Sequence, residues 1–310
     1  MMKDKERKEI KVYSFGDIIH YPKPVFLLLL IFMSLFITSL NSGSNGNCYY
    51  IGNDTEAVLI DAGISCRETE KRMKRLGLSM SIVKAIFVSH EHSDHITGIP
   101  GISKKYQLPV YITTPTFLSS RIPIEEHLLH SFYAHEPICI GGLSVTAFPK
   151  FHDASDPHSF IVSGNNVNIG IFTDIGITCE QVIHHFRQCH AAFLESNYCD
   201  DMLSNGRYPY FLKKRISGDK GHLSNTQALD LFIKHKNRQL SHLILSHLSK
   251  NNNNPELVDR LFNGQAGNTK IIVASRYNET ALYAIAAVAE IYRPAAKKYN
   301  KSSQEQLSLF

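Results

Sequence analysis

Residues 85–95 read Ala-Ile-Phe-Val-Ser and then His-Glu-His-Ser-Asp-His. The first part is apolar enough to be a buried strand, and the second follows it without a linker. Four metal-donor side chains, His90, His92, Asp94 and His95, therefore fall within six residues, at the end of an element rigid enough to aim several of them at one point. Neutral imidazole with carboxylate suits zinc, manganese or iron. A solvated polar loop is the alternative, but it does not account for that density of donors.

Histidine is also the outlier of the composition: 16 residues, against 6 Met and 6 Cys. The cysteines, Cys48, Cys66, Cys139, Cys179, Cys189 and Cys199, include no C-x-x-C pair and show no regular spacing, so a reducing, cytoplasmic compartment is expected rather than a secreted disulfide scaffold. At 310 residues and 43% hydrophobic content the chain can bury a sizeable core. Its formal charge of +5 is concentrated at the ends, because residues 33–293 carry 24 basic and 23 acidic side chains. Overall basicity thus says nothing about polyanion binding, and any such case has to rest on local clusters.

Residues 25–40 form an apolar run of 16, short of the roughly 20 needed to span a bilayer, and it passes directly into an Asn/Gly/Ser turn and a β-type segment. The run is expected to contain the first strand, with Met33 as a natural start and residues 1–32 as an upstream extension. A short membrane anchor through residues 25–40 is the competing reading, and a cleaved signal is a third. Beyond it, strands are expected at 47–51, 57–61, 85–89, 110–113, 143–148, 159–162, 167–173, 191–195 and 243–246, and helices at 67–76, 178–187, 224–235, 255–262 and 278–292. Strands joined partly by hairpins and partly through helices imply an α/β (α+β) chain in which two mixed sheets are covered by helices, an αββα sandwich. One domain would occupy residues 33–293, and residues 294–310 would form a polar tail with an apolar tip.

Further donors stand where apolar runs end: His152 in FPKFHDASD, Asp174 in IFTDIG and His247 in LILSHLSK. The H-x-H-x-D-H string resembles the signature of the metallo-β-lactamase fold. The segments SLNSGSNGNCYYIG, LIDAGISC, FVSHEHSDHITG, FHDASDP, FTDIG, LESNY, YPYFLKKRISGDKGHLSN, LSHLSKNNNNPEL and VASRY run in the order seen in the YycJ/WalJ (VicX) group of bacterial proteins of that fold, over roughly residues 33–285. The chain departs from that group at its N-terminal extension, at Tyr198 and at His158. The resemblance implies two divalent metal ions, zinc or manganese, with His90, His92 and His152 on one, Asp94, His95 and His247 on the other, and Asp174 bridging them. It makes Asp61 in LIDAG a carboxylate that supports a ligand rather than binding metal. It also implies a DNA exonuclease linked to repair, in which a hydroxide between the ions attacks phosphorus and Asp94 helps to orient it. A thioester or lactone hydrolase of the same fold, or a regulatory adaptor with a structural metal site, would share much of this pattern.

In residues 207–223 the basic side chains Arg207, Lys213, Lys214, Arg215 and Lys220 alternate with Tyr208, Tyr210 and Phe211, a composition able to track phosphates and stack bases. An amphipathic helix with its aromatics turned inward is the alternative. His222, after a glycine and before Ser224-Asn225, is a candidate to contact a phosphate or protonate a leaving oxygen. The turn Ser42-Gly43-Ser44-Asn45-Gly46-Asn47 can present backbone N–H groups to an anion, although a bare hairpin turn explains it equally well. The last five residues, Gln306-Leu307-Ser308-Leu309-Phe310, resemble the pentapeptide by which bacterial repair proteins dock on the DNA polymerase sliding clamp, with Gln306 at a rim and Leu307, Leu309 and Phe310 as apolar contacts.

Overall fold

A computed structural model describes residues 34–287. The apolar N-terminal run enters it as strand β1 (Ser34–Asn41); residues 1–33 and the clamp-like pentapeptide lie outside the described residues. Next come β2 (Cys48–Gly52), β3 (Ala57–Ile60), helix α1 (Cys66–Arg75), β4 (Val83–Phe87), the short helix α2 (Ser93–Ile96), α3 (Ile99–Tyr106), β5 (Val110–Tyr111), α4 (Thr114–Ser120) and β6 (Leu129–His130). The second half runs β7 (Pro137–Ile140), β8 (Leu143–Pro149), β9 (His158–Gly164), β10 (Val167–Phe172), α5 (Glu180–Phe186), β11 (Ala191–Glu195), α6 (Asp200–Asn205), α7 (Tyr210–Ser217), α8 (Asn225–His235), β12 (His242–Ser246), α9 (Pro255–Asn263), β13 (Lys270–Val273) and β14 (Tyr283–Ala286).

The strands form two seven-stranded sheets, ordered β14-β1-β2-β3-β4-β5-β6 and β13-β12-β11-β10-β9-β8-β7. Period-two alternation sorts their side chains into three cores. Leu35, Ile37, Tyr49, Val58, Phe87, Phe160, Ile171 and Phe193 meet between the sheets. Tyr50, Leu59 and Ile86 face outward and are covered by Met73, Ile99 and Ile102, while Phe172, Leu194 and Leu245 are covered by Phe186, Leu231, Phe232 and Phe262. This is the expected αββα sandwich.

One expected element is wrong. Residues 283–286 are strand β14, antiparallel to β1 with Leu35 opposite Ile285, and not part of a helix over 278–292. The alanine-rich stretch favours a helix locally, but every second side chain, Tyr283, Ile285 and Ala287, packs into the core between the sheets. That burial outweighs a propensity of a few tenths of a kcal/mol per residue.

The topology also decides where chemistry can occur. β10, β11 and β12 are parallel, and β8 shares their direction because both β8 and β10 pair antiparallel to β9. β3 and β4 are parallel in the other sheet. Five of these six carboxyl ends lead into polar positions singled out in the sequence: Asp61 after β3, His90–His95 after β4, His152 after β8, Asp174 after β10 and His247 after β12.

Candidate metal centre

Three of these strand ends deliver their side chains through a sharp backbone turn. Asp61, Asp174 and His247, which follow β3, β10 and β12, have φ of 58°, 55° and 57°. Non-glycine residues rarely adopt that conformation and persist in it only where the surroundings enforce it. After β4 the chain crosses Ser89 into α2, so that His90 and His92 precede the helix while Asp94 and His95 lie in its only turn. The Asp94 carbonyl accepts the Asn47 backbone N–H at 2.7 Å, and a Cβ on Gly63 would stand 1.7 Å from it. Only glycine permits that approach.

Two clusters of donor atoms result. In the first, His92 Nδ1 lies 3.1 Å from His90 Nε2 and 3.3 Å from His152 Nε2. The other ring nitrogens decide what these contacts are. Ser89 Oγ donates to Asp61 Oδ2 and so accepts from His90 Nδ1 at 2.9 Å, and His152 Nδ1 donates to the Gly221 carbonyl at 3.0 Å. The Nε2 atoms of both rings are therefore bare lone pairs aimed at one point. Nitrogens about 2.0–2.1 Å from a tetrahedral zinc ion stand about 3.3–3.4 Å apart, so the spacing fits a metal shell better than it fits hydrogen bonds. Burial holds the His90 imidazole well below its usual range and lowers His152 to about 4, which keeps both available as neutral ligands.

In the second cluster, Asp94 Oδ2 is 3.3 Å from His247 Nε2 and 3.6 Å from His95 Nε2. Asp174 lies between the clusters, with Oδ1 3.4 Å from His247 Nε2 and 3.9 Å from His152 Nε2, and Oδ2 3.3 Å from His95 Nε2. Asp174 Oδ2 is buried without a hydrogen-bond partner, a costly state for a carboxylate oxygen unless a cation completes it. Burial by itself would lower His95, but Asp174, Asp61 and Asp94 outweigh it and carry the ring up to about 10; for His247 the same burial is outweighed by Asp174, Asp94 and Glu195, which raise it. Asp94 falls to about 2, because His95 and His247 outweigh the opposing effect of burial. The donor set, three histidines beside a more anionic group sharing Asp174, fits two divalent cations.

Supporting contacts orient these rings. Asp61 accepts from His95 Nδ1 at 2.6 Å and from the Ser89 backbone N–H at 2.8 Å, which leaves His95 Nε2 facing the cluster. Sequence reasoning missed Glu195. This fully buried carboxylate at the end of β11 accepts through Oε1 from His222 Nδ1 at 2.8 Å and from His247 Nδ1 at 3.1 Å, and through Oε2 from the backbone N–H of Ile175 at 2.8 Å. Its only signal in the sequence is an acid closing the apolar run AAFLE. His222 is stacked on His247, their ring centroids 5.2 Å apart, and borders the cavity with its Nε2 free of partners among the described residues.

That cavity, of about 300 Å³, opens over Asp94, Asp174, His222 and His247, with Ser44 on one wall and Arg215 on another. Of the basic residues in 207–223, Arg215 alone reaches it, where its Nε donates to Asp153 Oδ2 at 2.5 Å. Arg207, Lys214 and Lys220 are exposed on the surface outside, and Lys213 donates to the Ser204 carbonyl at 2.6 Å. Tyr210 and Phe211 are 74% and 73% exposed, so the aromatics of α7 do not pack inward.

An αββα sandwich with clustered His and Asp at its strand ends is the architecture of the metallo-β-lactamase-fold hydrolases, a fold that implies divalent metal ions. The chain belongs to that superfamily, the Beta-lactamase superfamily domain matching residues 56–247, and within it to the YycJ/WalJ group. It is 35% identical to the Exodeoxyribonuclease YycJ of Bacillus anthracis over 230 residues, 73% of this chain and 86% of that protein. To the Exodeoxyribonuclease WalJ of Streptococcus pneumoniae it is 28% identical over 223 residues, 70% of this chain and 83% of that protein. Among solved structures, the metallo-β-lactamase-fold protein YhfI of Bacillus subtilis aligns with a TM-score of 0.64 at 13% identity, over 81% of this chain and 99% of that one. Human tRNase Z, short form, aligns with a TM-score of 0.54 at 15% identity, over 79% and 98%. At these identities the two structures speak to the fold alone.

Proposed function

We propose that the protein is a DNA exonuclease that hydrolyses phosphodiesters with two divalent metal ions, zinc or manganese. The observation that carries this reading is the pair of donor clusters sharing the orphaned Asp174 carboxylate beneath a cavity with His222 at its wall. His90, His92 and His152 would hold one ion, Asp94, His95 and His247 the other, and Asp174 both. Bound there, the ions supply a water activated at neutral pH and neutralise charge on the phosphate. The protein's own groups do the rest. Asp94 can orient the attacking water. Glu195 accepts the His222 Nδ1–H, so His222 presents Nε2 to the cavity, where in its protonated form it can give a proton to the leaving oxygen. Arg215 at the wall, with Lys213, Lys214, Arg207 and Lys220 beyond it, supplies positive charge along which a strand can lie. DNA as the substrate is supported by the names of the two group members, and a repair role by the tail pentapeptide Gln306–Phe310 as a sliding-clamp ligand.

The test is purified protein with Mn²⁺ or Zn²⁺ on end-labelled DNA, end-labelled RNA and a thioester. Stepwise release of nucleotides from DNA supports the proposal, and thioester turnover without nuclease activity overturns it.

A further inference from the structure

We propose that Arg276 and Ser44 form a phosphate subsite at the rim of the metal cavity, taking the backbone phosphate next to the one being cut; this rests on the nuclease reading. The turn between β1 and β2 is fastened to the metal centre at both ends. Ser42 Oγ accepts the His247 backbone N–H at 2.8 Å, and Asn47 Nδ2 donates to Asp94 Oδ2 at 3.0 Å. Between these anchors Ser44 and Asn45 are exposed, and Ser44 lines the cavity.

Arg276 comes from the segment after β13, and its Nη2 donates to Ser44 Oγ at 3.0 Å. Its guanidinium lies across Gly43, where a Cβ would stand 2.8 Å from Nη2, and Gly43 has φ of +136°. The glycine therefore leaves both the backbone conformation and the space that the arginine uses. The backbone beneath is tied as well: Asn45 Nδ2 donates to the Arg276 carbonyl at 2.9 Å, and the Ser42 N–H to the Ser275 carbonyl at 3.2 Å.

Like several exposed arginines, Arg276 makes no ion pair among the described residues, but it differs from them in that its guanidinium is fixed by Oγ of Ser44, a residue that lines the cavity. One edge of its planar fork is spent on a hydroxyl and the rest of its donors have no partner among the described residues, beside a cavity suited to an anionic substrate. A guanidinium so held is prepared for a phosphate. The Arg276 side chain rests on the β1–β2 turn of the first sheet, whereas Arg215 comes from α7 beyond the second, so a strand crossing the cavity would meet a cation on each side. The competing role is a strap that only pins residues 275–276 to the turn.

The experiment uses the full chain and end-labelled oligonucleotides in which one linkage at a time is an uncharged methylphosphonate. Binding is read by anisotropy with metal chelated, so that nothing is cut, and kcat/KM is read with Mn²⁺ restored. In the unaltered protein, neutralising one linkage close to the end should weaken binding about ten-fold, the worth of one charge-assisted contact. In Arg276→Gln that linkage should lose its effect, and the salt slope of binding should fall by about one. Arg276→Lys should restore part of the sensitivity. The ratio between modified and unmodified strands does not change if part of a variant fails to fold, so it separates a subsite from a strap. An Arg276→Gln profile with the sensitivity of the unaltered protein at every linkage overturns the inference while leaving the nuclease reading intact. An unaltered protein that neither binds nor cuts DNA overturns both.

Discussion

Two imidazoles of the centre depend on one carboxylate that does not itself line the cavity. Glu195 accepts the Nδ1–H of both His222 and His247 and so sets the direction of both Nε2 atoms. Glu195→Gln removes the charge and offers one acceptor where two are needed, so metal affinity or kcat should fall about 10- to 100-fold, as for other groups that orient ligands. Titration of the variant with Zn²⁺ or Mn²⁺ alongside steady-state rates would show it, and wild-type values in both would mean that the rings are held by packing alone. Asp174→Ala should go further and abolish hydrolysis, since its carboxylate reaches donors of both clusters. Its circular dichroism should match the wild type, and surviving activity would remove Asp174 from its proposed bridging role. His90, His92, Asp94 and His95 were legible because four such donors within six residues are improbable in a loop. Glu195 was not, because a single acid after an apolar run looks like any solvated strand end until the fold buries it.

At the scale of elements, strand ends and α7 carry the argument. Gly63→Ala would push a methyl group into the Asp94 carbonyl, and displacing the backbone that holds Asp94 should cost about 1–3 kcal/mol or more. Denaturant melts would measure the loss, and an unchanged midpoint would mean that the segment shifts at no cost. For α7, which buries none of its residues, the triple variant Lys213→Ala/Lys214→Ala/Arg215→Ala should weaken DNA binding and flatten its salt dependence, because fewer counterions are released. The double variant Tyr210→Ala/Phe211→Ala should lose about 1–3 kcal/mol for each base that stacks there. A salt slope equal to the wild type would make the helix merely a solvated face. The pattern of residues 207–223 announced charge and aromatics together; which way the rings face was decided by the fold, which leaves Tyr210 and Phe211 exposed.

For the whole molecule, the governing quantity is the charge collected at one edge of the sandwich. Asp61, Asp174 and Glu195 are each at most 1% exposed, and Asp94 lines the cavity beside Asp174. With that much negative charge inside, cations that bind the folded state alone should stabilise it strongly. At a free concentration 1,000 times Kd a metal contributes about 4 kcal/mol, so chelation should lower Tm by roughly 10 °C. A calorimetric scan with and without EDTA tests this, and coincident transitions would argue against a resident metal. No helix among the described residues is long and apolar enough to cross a membrane. The proposed clamp contact is tested by anisotropy of the full chain against the purified clamp, where Leu309→Ala/Phe310→Ala should abolish binding. Equal affinity for both proteins, or none for either at tens of micromolar, roughly the weak end for a short peptide, would exclude it.

By itself the sequence determined the layers and most of the donors. Both follow from local pattern, since alternating apolar residues specify which face of a strand is buried and a string such as His90–His95 keeps its donors together whatever the fold does. The tertiary structure decided what depends on distance. Parallel β10, β11 and β12 bring Asp174, Glu195 and His247 to one edge, and the facing sheet brings Asp61 and His95 to meet them. The same packing turned an alanine-rich segment into β14, exposed Tyr210 and Phe211, and set Arg276 over Gly43 from more than two hundred residues away. None of these is a property of neighbours in the chain. Each is fixed by which surfaces the two sheets bury against each other, a choice made by the free energy of the whole core.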